Sequence, residues 1–212
     1  RESWPVDKRI TISSSLFGQY RRIFTHSSFL IYTAASAFGL SYLFIFCAIS
    51  PVLIITLLHV PELQYGFYFC FMGISLLVGS LLCGMVVDKL GIFKTICCGF
   101  SITLLGGTIM LACFVFLGLT LYGFVLPMVM VGIGGTFCLS AGTSGAMLPF
   151  SHQSGMAAAL GGACRFLYAG LIGLFIAGHI DSTLPLAVPA VLQSLLGLYL
   201  LFLLRRYRNN AD

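Results

Sequence analysis

The stretch Gly79-Ser-Leu-Leu-Cys-Gly84-Met-Val-Val-Asp88-Lys89-Leu-Gly91-Ile-Phe-Lys94 decides the fold. It sets an acid, two bases and three glycines between two long apolar segments. A polar break of this kind reads as a short hinge joining two membrane helices, with its bases on the cytoplasmic side. Once that side is fixed, the alternation of apolar runs orients every other helix.

The composition agrees. Of 212 residues, 59% are hydrophobic and 8% charged, and mean hydropathy is +1.04. A soluble domain carries roughly 25% charged residues to cover its surface. Lipid is therefore the natural solvent of this chain, and the expected class is an all-α membrane protein. The net charge of +5 does not point to nucleic acid, because the bases cluster at the ends of apolar runs. No metal or cofactor is expected. Cys47, Cys70, Cys83, Cys97, Cys98, Cys113, Cys138 and Cys164 all lie in or beside apolar runs, and none forms a Cys-x-x-Cys pair. Buried thiols acting as small hydrophobes explain them.

Six apolar runs, at about 29–56, 64–86, 95–117, 119–147, 155–178 and 183–204, each approach the roughly 20 residues that cross a bilayer. The expected organisation is a linker at 1–28, a six-helix bundle at 29–204 and a tail at 205–212. Pro51 and Pro127 fall inside the first and fourth runs and are expected to kink them. Lys and Arg then divide cleanly between the connections. Five stand in the leading segment, two in the 87–94 hinge (Lys89, Lys94) and three in the tail (Arg205, Arg206, Arg208), with none in the loops between. With six spans and both ends inside, every base outside a helix is cytoplasmic. Glu62 and Asp181 fall in outer loops.

The remaining base is Arg165, the one ionisable residue deep in a run. Burying it in a bilayer costs on the order of 3 kcal/mol, so it is expected to face a cavity or a partner. Its helical neighbours Gly161, Gly162, Tyr168 and Ala169 form a small, polar stripe suited to a wet cleft. Interhelical bonding to a neighbouring carbonyl is the alternative. Glycines and alanines in the fourth and fifth runs point to close helix packing. Gln193 and the scattered Ser and Thr read as interhelical hydrogen-bond partners. Tyr42 and Phe46, one turn apart, are candidate stacking contacts for a substrate, with packing the commoner role.

The hinge pattern Gly84-x-x-x-Asp88-Lys89-x-Gly91-x-x-Lys94 resembles the loop signature of the major facilitator superfamily. Ser50-Pro51-Val-Leu, Tyr65-Gly66-Phe-Tyr-Phe and Pro149-Phe150…Gly155-Met-Ala-Ala-Ala-Leu-Gly161-Gly-Ala-Cys-Arg165-Phe166 look like the C-terminal half of drug:proton antiporters, with the bicyclomycin-resistance (Bcr/CflA) branch the nearest. Ile92 and Phe93 depart from the loop signature, which often has bases there. The resemblance implies a bacterial inner-membrane exporter working by alternating access. It implies a small-molecule substrate, protons as the coupling ion, and a missing N-terminal six-helix half as partner. In the hinge it implies that Gly84 admits a close neighbour, Gly91 supports the turn, Asp88 meets a helix N-terminus or a base across the interface between halves, and the bases, Lys89 among them, hold the loop in the cytoplasm. The absence of an initiator Met fits the expectation that residues 1–28 are a central linker.

Two rivals stand beside this reading. A self-sufficient homodimeric six-helix carrier or channel needs no second half. An intramembrane serine protease of the rhomboid kind would use Gly142-Thr-Ser144-Gly145 with His179 or His152, but six spans put Ser144 and His179 at opposite membrane faces.

Overall fold

The computed structural model describes residues 16–177 and 183–209. His179 and Asp181 lie outside these, as do residues 1–15 of the leading segment. The described chain is helical nearly throughout, and four helical runs are long and apolar enough to cross a membrane: Ser27–Leu57, Glu62–Leu117, Leu121–Ile176 and Leu184–Arg206. This differs from the six spans read from the sequence because two of the runs, 56 residues each, continue through internal breaks.

The order is α1 (Leu16–Phe24), α2 (Ser27–Pro51), α3 (Glu62–Leu117), α4 (Leu121–Met147), α5 (Ser154–Ala177) and α6 (Leu184–Asn209). α1 falls inside the stretch read as a linker. It is short and polar, with Arg21 and Arg22 in its last turn, and it is anchored by Ile23, which is buried with Phe29, Ala146 and Ala157. Beyond Pro51, whose missing N–H breaks the regular ladder, the chain widens into a π-helical stretch, Val52–Leu57. Pro127 sits within α4 without ending it.

α3 is interrupted at Gly91, where φ is 77° and ψ is 165°. That region of backbone space is essentially open to glycine alone. Contacts with α4 show what the break does. Gly132 of α4 lies against Met72 and Ser75, and Gly79 lies against Ile133 and Thr136. On the other arm Gly99 lies against Gly134 and Cys138, and Gly106 against Pro127 and Val131. One arm thus runs along α4 and the other runs against it, so the chain doubles back at Gly91.

A second reversal follows α4, through the 3₁₀ segment Leu148–Gln153. α2 runs against α4, with Gly39 at Leu139 and Phe46 stacked on Phe124. It runs alongside α5, with Phe29 near Gly161 and Phe44 near Gly173. α6 returns against the second arm of α3, where Phe100 meets Gly197 and Gly107 meets Ala190.

Close approach is concentrated on α4. Gly134 sits beside the Thr103 backbone, and Gly142 beside Tyr32 O and Ser36 N, so any side chain there would strike main chain. The same expectation fails for α5. Gly155 and Gly170 have open space, and Gly161 and Gly173 have neighbours only at ordinary contact distance. Between α2 and α6 the Ser41 hydroxyl donates to Gln193 Oε1 at 2.7 Å, and Tyr42 and Ser194 hydroxyls meet at 3.4 Å. Gln193 thus joins two helices, as its polarity in an apolar run leads one to expect.

Candidate functional site

Arg165 stands near the middle of α5, a helix rich in Ala, Gly and Leu that has no other ionisable side chain apart from Cys164 and Tyr168. It is half-buried. Its Nη1 donates to Thr143 Oγ1 of α4 at 2.6 Å, while that hydroxyl donates to Leu139 O at 2.6 Å. The threonine is therefore oriented by its own helix to accept, and Arg165 uses one of its five N–H groups on it. Gly162, one turn back, leaves room: a Cβ there would touch Arg165 Nη2 at 3.8 Å. Thr143 is a partner no local pattern announced, because 22 residues and a chain reversal separate it from Arg165.

The stripe around Arg165 is oriented differently from the wet cleft expected of it. Gly161 faces Phe29 and Thr33 of α2, Ala169 is buried, and Tyr168 lies tilted on Phe38 at 5.4 Å between ring centres. The large rings Phe29 and Phe38 of α2 occupy the groove that small residues leave on α5. The open face of α5 is apolar instead, carrying Phe166, Leu167, Leu171 and Leu174, the last 76% exposed.

Tyr42 and Phe46 face the interior as well. Both are enclosed, at 1% and 0% exposure, and neither presents a face to a ligand in this conformation. Phe46 is stacked against Phe124, with ring centres 6.4 Å apart, and tilted on Phe69 at 5.6 Å. Aromatic packing accounts for Phe46, and Tyr42 is held by Ser194 and by its close approach to Gly135.

In the hinge, Gly91 makes the turn. Gly84 is exposed and a Cβ there would meet nothing within 4 Å in this chain, whereas Gly79, one turn and a half earlier, lies close against α4. Asp88 and Lys89 are exposed. No carboxylate pairs with a base among the described residues. A cavity of about 1060 Å³ opens at this end of the bundle, away from Arg165, with Gly91, Lys94 and Arg205 in its wall.

Ser144 is exposed, and its hydroxyl donates to Ser140 O of its own helix at 3.1 Å. His152 is exposed in the 3₁₀ segment. The proposed partner His179 is outside the described residues. Among the described residues no three His, Cys, Asp or Glu side chains come together as metal ligands would.

Helices of this length and apolarity, reversing direction and packed through glycine-lined grooves, define an all-α, multi-pass membrane protein. No family model matches the chain. It is similar to two curated proteins: the chloramphenicol resistance protein CraA of Acinetobacter baumannii, at 27% identity over 135 residues, and a chloramphenicol resistance protein of Pseudomonas aeruginosa, at 24% over 173 residues. The matches cover 64% and 82% of this chain but 31% and 41% of the respective relatives, so the chain spans about a third to two-fifths of their length.

Proposed function

We propose that this chain is part of a drug-efflux transporter, and that it forms the C-terminal six-helix half of a major facilitator superfamily drug:proton antiporter of the bicyclomycin-resistance branch. The observation that carries the reading is the similarity to two chloramphenicol resistance proteins in a chain whose helices alternate in direction. In this reading Gly91 and the 148–153 segment each separate two crossings, which gives six, with both ends in the cytoplasm of a bacterial cell.

The substrates are small amphipathic compounds, chloramphenicol being the first to test. They are held between this half and an N-terminal half, and exported by alternating access against proton entry. The protein is not an enzyme and uses no cofactor. The outward faces of residues 62–90 and of α5, where Leu81 is 72% exposed and Leu174 76%, are the surfaces that a second six-helix unit would cover. A second copy of this chain could cover the same faces, which keeps a homodimeric carrier as the second reading.

Arg165 is the substrate-facing or coupling charge, and Thr143 positions it. The N–H groups that Thr143 does not use are available to a ligand's oxygen atoms. The test is chloramphenicol accumulation in cells that lack their own efflux pumps and express the complete gene product. Wild type lowers accumulation, and Arg165→Gln is present in the membrane but alters export of at least some compounds. Unchanged export of a broad panel by Arg165→Gln sinks the assignment of that residue. Proton-driven efflux by vesicles holding only residues 1–212 favours the homodimer instead.

A further inference from the structure

We propose that the cavity beside Gly91 is a binding site for the phosphate headgroup of an anionic phospholipid, held by Lys94 and Arg205. The cavity is walled by the hinge of α3, the start of α2 and the end of α6, and it holds about 1060 Å³. Three basic-type side chains line it (His26, Lys94 and Arg205), and no carboxylate does. Lys94, on the second arm of α3, and Arg205, on α6, both stand in its wall.

The other polar groups are donors suited to an oxyanion. Ser27 and Ser28 supply hydroxyls, and the N-cap of α2, His26, makes no side-chain capping bond that would occupy the first N–H groups of the helix. The His26 ring is held edge-on to Phe150, with centroids 5.3 Å apart.

Charge alone would suit any phosphate. The apolar wall selects the lipid. Val87, Leu90, Ile92, Phe93, Leu148 and Leu204 line the same hollow. It lies where the apolar runs of α3 and α6 give way to basic residues, Lys94 and Arg205, as the end of a membrane-crossing helix does at the headgroup level. Basic hollows between membrane helices at that depth recruit anionic headgroups, and each base near the surface contributes a factor of about five in affinity. Arg205 adds the planar fork that matches two phosphate oxygens.

The site predicts lipid retention by the whole chain, independent of any transport. Native mass spectrometry of the purified protein, titrated with phosphatidylglycerol or phosphatidylcholine, tests it. Phosphatidylglycerol is expected to bind at least about fivefold more tightly, and Lys94→Gln with Arg205→Gln to weaken it by roughly 25-fold, the product of two such factors. Arg206→Gln, an exposed base on the same helix end but outside the cavity wall, is expected to change binding less than about twofold. Equal binding of the two lipids overturns the proposal. So does a double variant that binds like wild type, or an Arg206→Gln effect as large as that of Arg205→Gln. Displacement of phosphatidylglycerol by millimolar inorganic phosphate overturns the lipid assignment in favour of a soluble anion. Lys94 and Arg205 are exposed side chains, and the single variants give the same readout should the pair fail to express.

Discussion

Replacing Gly91 with alanine separates backbone strain from crowding more cleanly than any other change in this chain. A Cβ at Gly91 would meet nothing within 4 Å, so the substitution creates no collision with another part of the protein. Its whole cost comes from φ 77° and ψ 165°, a conformation in which an L side chain clashes with its own main chain. Such residues cost about 1–3 kcal/mol. For a chain of this size each kcal/mol moves the melting temperature by about 2–4 °C, so a cost near the middle of that range lowers it by about 4–8 °C.

Gly84, seven residues earlier, also has open space around its Cβ but lies in regular helix. Gly84→Ala is expected to raise stability by up to about 1 kcal/mol, because alanine loses less backbone freedom in a helix. Gly118 supplies the repeat of the experiment, since it also has open space and sits at φ 71° and ψ −161°. The assay is thermal unfolding in detergent, followed by the loss of the monodisperse peak in fluorescence-detected size-exclusion chromatography. A Gly91→Ala protein that melts with wild type, or a Gly84→Ala protein that melts below Gly91→Ala, would falsify the assignment of the turn to backbone conformation.

Other outcomes follow from the packing and from the Arg165 contact. Gly39→Ala places a Cβ on Gly135 O and 2.7 Å from Leu139 N, both main-chain atoms that cannot swing aside. Overpacking of this kind costs about 1–3 kcal/mol, and the same chromatographic melt is expected to show it, whereas Gly66→Ala, with open space, is expected not to fall. Thr143→Val removes the acceptor of Arg165 Nη1 but keeps the shape, while Thr143→Ser restores a hydroxyl. If the threonine positions the arginine, Val changes the apparent affinity for exported compounds several-fold and Ser recovers most of it. Equal behaviour of the two variants in an accumulation assay removes Thr143 from the site.

The sequence carried the architecture further than the site. Hydropathy and the placement of bases made the class legible, the acid, bases and glycines of 79–94 marked a hinge, and the resemblance to the superfamily loop implied Gly91 as its turn. α1 was not readable. Nine residues with two arginines carry too little apolar signal, and only the docking of Ile23 shows what holds the helix. The stripe on α5 shows a different limit. Periodicity correctly grouped Gly161, Arg165 and Tyr168, but small residues accommodate a neighbour's rings as readily as they line a cleft, and Phe29 and Phe38 took the space. Gly79 shows it again: only its register against Ile133 and Thr136 reveals that a neighbour comes close there. Arg165 announced itself by its cost, whereas Thr143 looked like any other hydroxyl in an apolar run.

The glycine-lined middle of α4 serves α2 and both arms of α3 at once, and that sets an order of events during synthesis. When Gly91 leaves the ribosome, the first arm of α3 has α2 to touch, through Phe46 and Phe69, but not the glycine-lined groove of α4 on which both arms close. That groove is centred near residue 135, roughly 44 residues later, and emerges about 2–9 s afterwards at a rate of about 5–20 residues per second. For that interval the grooves at Gly39, Gly79 and Gly99 are filled by lipid or by the insertion machinery. α4 is then the keystone whose arrival closes three interfaces together.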